Sequence, residues 1–330
     1  MPKFLILRFS SIGDIVLTSP VIRCLKQQVT DAEVHYATRR YFLPVIEHNP
    51  SIDKRFFLDE DLSTLINQLK AEKYDYIIDL HHNLRTLSVK NQLRVKSFSF
   101  NKINIEKWLM VNFKINRLPK THIVDRYMET VKSFGVTNDG KGLDYFISAE
   151  DEKAIEKIPE THRNGYIGFV IGARHVTKKL PVEKIVSICT KINQPIILLG
   201  GKEDFEAGEA IIRQSQISNF LSHVYNSCGQ FSLNESAALV KHASKIITHD
   251  TGLMHIAAAF KKEIISVWGN TIPEFGMAPY HGTKDEARGT IVEVKNLSCR
   301  PCTKLGFEKC PKGHFKCMMQ IDEVEIINAL

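Results

Sequence analysis

The stretch Thr248-His-Asp-Thr-Gly-Leu-Met-His255 holds the residue types that an anion-binding helix start requires. Ser244–Thr248 reads as a short buried strand, and Leu253–Phe260 as an apolar helix packed on a sheet. Asp250 and Thr251 are favoured N-cap residues, and Gly252 lets a ligand approach the backbone closely. First-turn N–H groups of such a helix lack internal partners and sit at the positive end of its dipole, so a diphosphate fits there. An ordinary capped helix in an α/β domain accounts for the same residues equally well.

A second junction lies near the N-terminus. Gly13-Asp14 follows the apolar run Phe4–Phe9, at the edge where open α/β sheets bind ligands. Ser10, Ser11 and Gly13 would supply a tight turn with free N–H groups, and Asp14 would open the next helix, aimed into a cleft. Two readings of that aspartate conflict. A carboxylate that caps a helix is a weak base, whereas a general base needs a partly desolvated site or tight positioning. Lys178 and Lys179 occupy the loop after Tyr166–Ile171, where a lysine reaches phosphate oxygens and neutralises a departing diphosphate; lysines are also ordinary surface residues. Asp204, in Gly200-Gly-Lys-Glu-Asp204, follows the next strand, at an edge where acidic residues accept from ribose hydroxyls. Glu203 competes for that role.

These residues need elements to hold them. Strands are expected at Phe4–Phe9, Glu33–Ala37, Tyr74–Leu80, Tyr166–Ile171, Pro195–Leu199, Ser244–Thr248 and Glu263–Trp268. Helices are expected over 15–28, 62–72, 124–134, 181–192, 203–214 and 253–260. Alternating strands and helices give βαβ units and parallel sheets. The polar stretch 136–165, with Gly140, Gly142, Pro159 and Gly165, marks a boundary between domains 1–155 and 156–330. Two Rossmann-like α/β domains facing across a cleft make the GT-B arrangement, with ligands at the carboxyl ends of both sheets. No Gly-x-Gly-x-x-Gly follows the first strand and no Walker sequence occurs, which argues against a nicotinamide enzyme and a P-loop nucleotidase. Asp59-Glu-Asp61 falls outside the expected cleft positions, so metal-bridged diphosphate binding is not expected.

Composition adds limits. Hydrophobic residues at 43% and charged residues at 25% suit a soluble globular protein. No apolar run approaches the ~20 residues that span a bilayer, and residues 1–25 do not read as a signal peptide, so the cytoplasm is the expected compartment. Charge is uneven. Between Arg85 and Lys120 nine basic residues face only Glu106, a local +8 that leaves −1 for the rest of the +7 total. Phe98, Phe100, Trp108, Leu109, Met110 and Phe113 share that segment, a mixture suited to an anionic membrane surface or phosphorylated lipid. A solvated face around ordinary core residues is the plainer alternative. No nucleic-acid motif accompanies the charge.

Of seven cysteines, Cys24, Cys189 and Cys228 are isolated core fillers. Cys299, Cys302, Cys310 and Cys317 fall within nineteen residues, with His314 among them. Cys-x-x-Cys opens many zinc knuckles, though the next gaps, seven and six residues, match no standard ribbon. Structural zinc, reduced core thiols and a disulfide all remain open.

With these pieces placed, nearly the whole chain resembles the ADP-heptose:lipopolysaccharide heptosyltransferase family, glycosyltransferase family 9. Arg8-Phe-Ser-Ser-Ile-Gly-Asp14 is similar to its N-terminal motif, with Arg8 for the usual lysine. Asp79-Leu-His-His-Asn-Leu-Arg85 and His122-Ile-Val-Asp-Arg-Tyr127 resemble two further segments. Asp250-Thr-Gly-Leu-Met-His255 followed by Ala257-Ala-Ala259 is the most specific match, and the Cys-rich tail is similar to a feature of many members. Lys179-Leu180 stands where His-Trp commonly follows the phosphate lysine.

The resemblance implies an inverting, metal-independent transfer of heptose from ADP-heptose to the lipopolysaccharide inner core. Asp14 would be the base, on a loop supported by Arg8, Ser10, Ser11 and Gly13. Lys178 would bind the diphosphate and Asp204 would lie near the ribose. Asp250, Thr251, Gly252 and His255 would hold the sugar and its phosphates. Asn83, Arg85, His122 and Arg126 would meet the acceptor. No cofactor would be needed beyond the donor. The N-terminal domain would bind the inner-core or lipid A acceptor and the C-terminal domain the nucleotide-sugar, at the cytoplasmic face of the inner membrane and without nucleic acid. A transferase of the same fold with another nucleotide-sugar, a sugar-nucleotide epimerase and a non-catalytic lipid- or sugar-binding homologue are the alternatives.

Overall fold

The computed structural model describes residues 1–59, 61–217, 223–282 and 289–330. They divide into two compact units. Residues 1–59, 61–103 and 121–146, with Gly282, form the first; residues 104–120, 147–217, 223–281 and 289–330 form the second. The basic segment is therefore split, its part from residue 104 onward belonging to the second unit.

The first unit is a five-stranded sheet of β1 (Lys3–Leu7), β2 (Glu33–Thr38), β3 (Lys54–Phe57), β4 (Tyr76–Asp79) and β5 (Lys96–Ser99). Its order is β3-β2-β1-β4-β5 and every pairing is parallel. Parallel strands covered on both faces need continuous apolar runs, and Phe4-Leu-Ile-Leu7 is wholly buried. Helices α1 (Ile12–Val16), α2 (Ser19–Gln28), α3 (Leu62–Ala71) and α4 (Leu84–Leu93) accompany it.

The helix expected over 15–28 starts earlier and is broken. Pro20 has no N–H to continue α1 and instead sits in the first turn of α2. The last carbonyls of α1 are taken up locally, Thr18 Oγ1 donating to Ile15 O and Ser19 Oγ to Val16 O, both at 2.7 Å. Asp61 caps α3, accepting from Ser63 and Thr64 N–H, and Asp59 pairs with Arg40 at 2.8 Å. Glu60 between them lies outside the described residues.

The second unit is a six-stranded sheet of β6 (Ile167–Val170), β7 (Ile196–Leu199), β8 (Val224–Asn226), β9 (Lys245–His249), β10 (Glu263–Trp268) and β11 (Gly289–Glu293). Its order is β11-β10-β9-β6-β7-β8, again parallel throughout. Helices α5 (Asn104–Phe113), α6 (Val182–Cys189), α7 (Phe205–Ile217), α8 (Leu233–His242) and α9 (Gly252–Ala259) belong to this unit. Its core gathers Phe169, Ile196, Leu198, Ile247, Ile265 and Val267. In each sheet the strand order reverses between two neighbours, β1 and β4 in the first, β6 and β9 in the second. Loops at the carboxyl ends of such strands are where doubly wound sheets bind ligands.

Candidate active site

Arg8 leaves the carboxyl end of β1 and turns back under the loop that follows. Its guanidinium donates to the carbonyls of Leu80 (2.5 Å) and Ser10 (2.6 Å) and to the Tyr127 hydroxyl (3.0 Å), and pairs with Asp14 Oδ2 at 2.8 Å. Burial opposes that charge, but Asp14, Tyr127 and Tyr36 outweigh it, and the Arg8 pKa is raised. Burial also pushes the Tyr36 and Tyr127 hydroxyls above the usual tyrosine range. Asp14 is not the N-cap of α1. Ser11 holds that position, and Asp14 is the third helical residue, reaching back to the Ser11 hydroxyl at 2.8 Å and N–H at 3.3 Å. Gly13 is buried inside the same turn. The carboxylate is thus tightly positioned, by a cation that is itself braced on three sides.

The other residues expected near an acceptor are spread over this unit. Asn83 caps α4, its side chain accepting from Thr86 N–H at 3.0 Å, and Arg85 in the first turn is exposed. His122 caps the helix Ile123–Met128 through Nδ1, 3.2 Å from Val124 N. Arg126 is buried in that helix and donates to Asn101 O at 3.4 Å. Asn83 and His122 therefore both serve helix starts. Sequence reasoning passed over Asp79 as a functional group. It is fully buried at the end of β4, pairs with Lys90 at 2.8 Å and accepts from the N–H groups of His81 and His82. A carboxylate ending an apolar strand was the available signal. His81 has its pKa lowered to about 4, by burial first and then by the Arg8 charge, so it is neutral at pH 7.

In the second unit the residues singled out in sequence meet around the ends of β6 and β9. Lys178 Nζ pairs with Asp250 Oδ2 at 2.5 Å. Thr271, in the loop after β10, donates to the same oxygen at 3.0 Å. Thr271 was missed because its contribution comes from a third strand, although it follows an expected one directly. Thr251 is the N-cap of α9 and accepts from Leu253 N–H at 3.3 Å. Gly252 opens the helix, and His255 is buried on its second turn. Asp204 is buried, pairs with Lys179 at 2.5 Å and accepts from Gly201 N–H at 3.0 Å, while Glu203 beside it is exposed. A side chain at Gly172 or Gly200 would collide with Asp204, so both glycines keep the loop ends close.

His249, at the end of β9, fastens this loop. Its Nε2 accepts from Leu180 N–H at 2.9 Å, two residues after Lys178 in the same loop. Burial, aided by the Lys179 charge, lowers its pKa to about 4, so the ring is a neutral strap at pH 7. Two lysines, each matched by one carboxylate, and the start of α9 make a site that can exchange internal ion pairs for a bound anion.

Residues 62–307 match the model of glycosyltransferase family 9 (heptosyltransferase). The chain belongs to that family. The match includes the Lys178–Asp250 site and begins after the Arg8–Asp14 loop. Lipopolysaccharide heptosyltransferase 1 of Campylobacter coli is 26% identical over 292 residues, covering 82% of this chain and 84% of that one. The glycosyl transferase family 9 structure from Veillonella parvula DSM 2008 covers 99% of this chain and 96% of its own, with TM-score 0.77 and 22% identity. The structure titled E. coli ADP-heptose lps heptosyltransferase II covers 99% and 97%, with TM-score 0.73 and 16% identity. These likenesses carry the fold, which is GT-B as expected. The protein is an enzyme, a glycosyltransferase of the heptosyltransferase family.

Metal chemistry has two candidate places in this glycosyltransferase. Among the described residues, Glu33, His35 and Glu72 alone bring three possible ligand atoms within 4.8 Å. There Lys3 pairs with both glutamates, at 3.1 and 3.3 Å, Lys54 pairs with Glu72, and His35 bonds Glu33 and the Tyr74 hydroxyl. That group is a satisfied charge network. The other place is the Cys-rich tail, whose Cys299, Cys302, Cys310 and Cys317 are all free thiols.

Proposed function

We propose that this enzyme transfers heptose from ADP-heptose to the inner core of lipopolysaccharide, inverting the anomeric centre without a catalytic metal. The observation that carries the reading is the Lys178–Asp250–Thr271 cluster beside the capped start of α9. The names of the Campylobacter coli relative and of the E. coli structure supply the sugar class and the acceptor class.

In this reading the donor diphosphate lies at the first-turn N–H groups around Gly252, and Lys178 leaves Asp250 to meet it. Thr251 and His255 complete that wall, and Asp204 or exposed Glu203 faces the ribose. Asp14 takes the proton of the acceptor hydroxyl as its oxygen bonds the anomeric carbon. The bond from that carbon to the diphosphate breaks on the opposite side, and ADP departs with the electron pair. Lys178 and the helix start stabilise the charge that builds on the leaving group. Domain 1–155 binds the acceptor, with Asn83, Arg85, His122 and Arg126 as its polar contacts, and domain 156–330 binds the donor. The enzyme works at the cytoplasmic face of the inner membrane, held by the basic segment. Among the described residues no helix is long and apolar enough to cross a membrane, and α5 exposes Ile105, Trp108 and Phe113 beside lysines.

Purified protein, ADP-heptose and a heptose-free inner-core acceptor test the reading directly. Acceptor-dependent ADP release with inversion, unaffected by chelators, is expected. Release of UDP or GDP from other sugar nucleotides in its place would assign a different donor. No turnover with any of them would leave only a binding protein.

A further inference from the structure

Three consecutive carbonyls in the loop after β10 are taken up by residues near the C-terminus. Arg300 Nε donates to Gly269 O at 2.6 Å, Cys302 N–H to Asn270 O at 3.1 Å, and Arg300 Nη2 to Thr271 O at 2.9 Å. Nη2 also pairs with Glu293, the last residue of β11, at 2.5 Å. The guanidinium thus meets three acceptors, and its side chain is 8% exposed. A planar fork with N–H groups in fixed directions specifies the backbone it grips, whereas the compact, flexible ammonium of lysine does not. Residues 294–315 contain neither helix nor strand, so this grip replaces a ladder.

What that loop carries gives the grip its consequence. Thr271 Oγ1 donates to Asp250 Oδ2 at 3.0 Å, the same oxygen that Lys178 Nζ meets at 2.5 Å. A hydroxyl and an ammonium therefore share one carboxylate oxygen. The hydroxyl offsets part of the charge on Asp250, which loosens its hold on Lys178 and lessens its repulsion of a nearby phosphate. With the hydroxyl withdrawn, Asp250 would hold Lys178 more firmly. The loop is also seated closely on the chain that carries Lys178. A Cβ at Gly269 would lie 2.9 Å from Thr177 O, one residue before that lysine. Gly269 sets how near the loop comes, and Arg300 sets how it runs on to Thr271.

We propose that Arg300 is a positioning residue of the donor site. By fixing the Gly269 and Thr271 carbonyls it sets the Thr271 hydroxyl on Asp250, and so governs how readily Lys178 is released to the donor's phosphates. The proposal rests on the donor-site reading above. Arg300 itself touches neither Asp250 nor Lys178; its influence passes through Thr271. That route makes a demand that a merely structural arginine would not meet: once the Thr271 hydroxyl is gone, altering Arg300 must cost the donor nothing more.

Calorimetric ADP affinities of the full-length protein, for Arg300→Lys, Thr271→Val and the two combined, test this. Arg300→Lys keeps a positive charge opposite Glu293 but cannot span both carbonyls, and Thr271→Val keeps the shape without the hydroxyl. Arg300→Lys should weaken ADP binding between about threefold and tenfold, and Thr271→Val about tenfold. The double variant should match Thr271→Val within about twofold. Thr271→Ser, which keeps the hydroxyl, should lose less than Thr271→Val. Glu293→Gln loosens Arg300 without removing it, so it should act in the same direction as Arg300→Lys and likewise add nothing to Thr271→Val. In each case KM for the donor should rise while adenosine affinity and KM for the acceptor hold. Losses that multiply in the double variant, or that fall equally on adenosine, overturn the positioning role. So does unaltered ADP affinity in Arg300→Lys and Glu293→Gln while Lys178→Ala lowers it. Should Lys178→Ala leave ADP affinity unchanged, the donor-site reading itself fails and takes this proposal with it.

Discussion

Lys178 Nζ and Asp250 Oδ2 meet at 2.5 Å across the carboxyl ends of adjacent strands β6 and β9. The pair holds a cation ready beside a helix start, and a bound diphosphate must compete with Asp250 for it. A hydrogen bond to a charged group contributes about 1.5–3 kcal/mol, so Lys178→Ala should weaken ADP binding between about tenfold and a hundredfold. Calorimetric titration with ADP and with adenosine separates the effect, since adenosine has no phosphate and should bind both proteins alike. Equal ADP affinity in the variant would remove Lys178 from the donor site.

Asp14 makes a different prediction, because its carboxylate does two jobs. It orients on Ser11, and it balances Arg8, which is buried and always charged. Asp14→Asn keeps the size and removes both the proton acceptor and the counter-charge. Turnover should fall by about 100-fold or more while ADP affinity holds. Stability should also drop by about 3 kcal/mol, since a buried guanidinium loses its partner. Urea melts and steady-state rates check the two effects separately, and unchanged turnover would end the base assignment.

The strand–loop–helix units at both sites were legible because their physics is local. Buried parallel strands such as Phe4–Leu7 and Ile196–Leu199 have to be continuous apolar runs, and Thr251 is a cap by its own chemistry. The edge strands β3 (Lys54-Arg-Phe-Phe57) and β5 (Lys96-Ser-Phe-Ser99) were missed because edges are kept charged and short. Cross-chain partners were also out of reach. That Thr271 joins Asp250, that His249 fastens Leu180, and that Arg8 is braced by Leu80 and Tyr127 depend on strand order, which spacing along the chain does not carry.

His249 links the site to pH. Its folded pKa is about 4 against 6.5 for a free imidazole, so the folded ring stays neutral while the unfolded one takes up a proton. The unfolded state binds more protons between pH 6.5 and about 4, so stability falls as pH falls through that window and levels off below it. One such group amounts to roughly 3 kcal/mol. Urea midpoints at pH 7, 5.5 and 4 should therefore decline, with His81 acting in the same direction. His249→Gln, whose amide oxygen can accept from Leu180 N–H, should flatten the decline and retain ADP binding. His249→Leu leaves the Leu180 N–H unpaired and should lose about 1–3 kcal/mol at pH 7. A decline in the glutamine variant equal to that of the parent would place the acid sensitivity elsewhere.

The basic segment offers a direct optical test of membrane docking. Of the two tryptophans, Trp268 is 1% exposed and Trp108, on α5, is 55% exposed, so only Trp108 can report a change at the surface. Its ring packs edge-on against Phe113 at 5.1 Å, with Lys107 and Lys114 close by in sequence. On vesicles of anionic lipid Trp108 emission should shift to the blue, and neutral vesicles should leave it unchanged. Raising salt shortens the screening length to about 3 Å at 1 M and should reverse the shift. Because Arg94 and Lys96 belong to one unit and Lys107 to the other, Lys107→Gln alone should weaken binding if α5 is the docking helix, whereas Arg94→Gln with Lys96→Gln should matter less. A shift that survives 1 M salt, or appears equally on neutral vesicles, would mean that the charge of this segment does not steer it to a membrane.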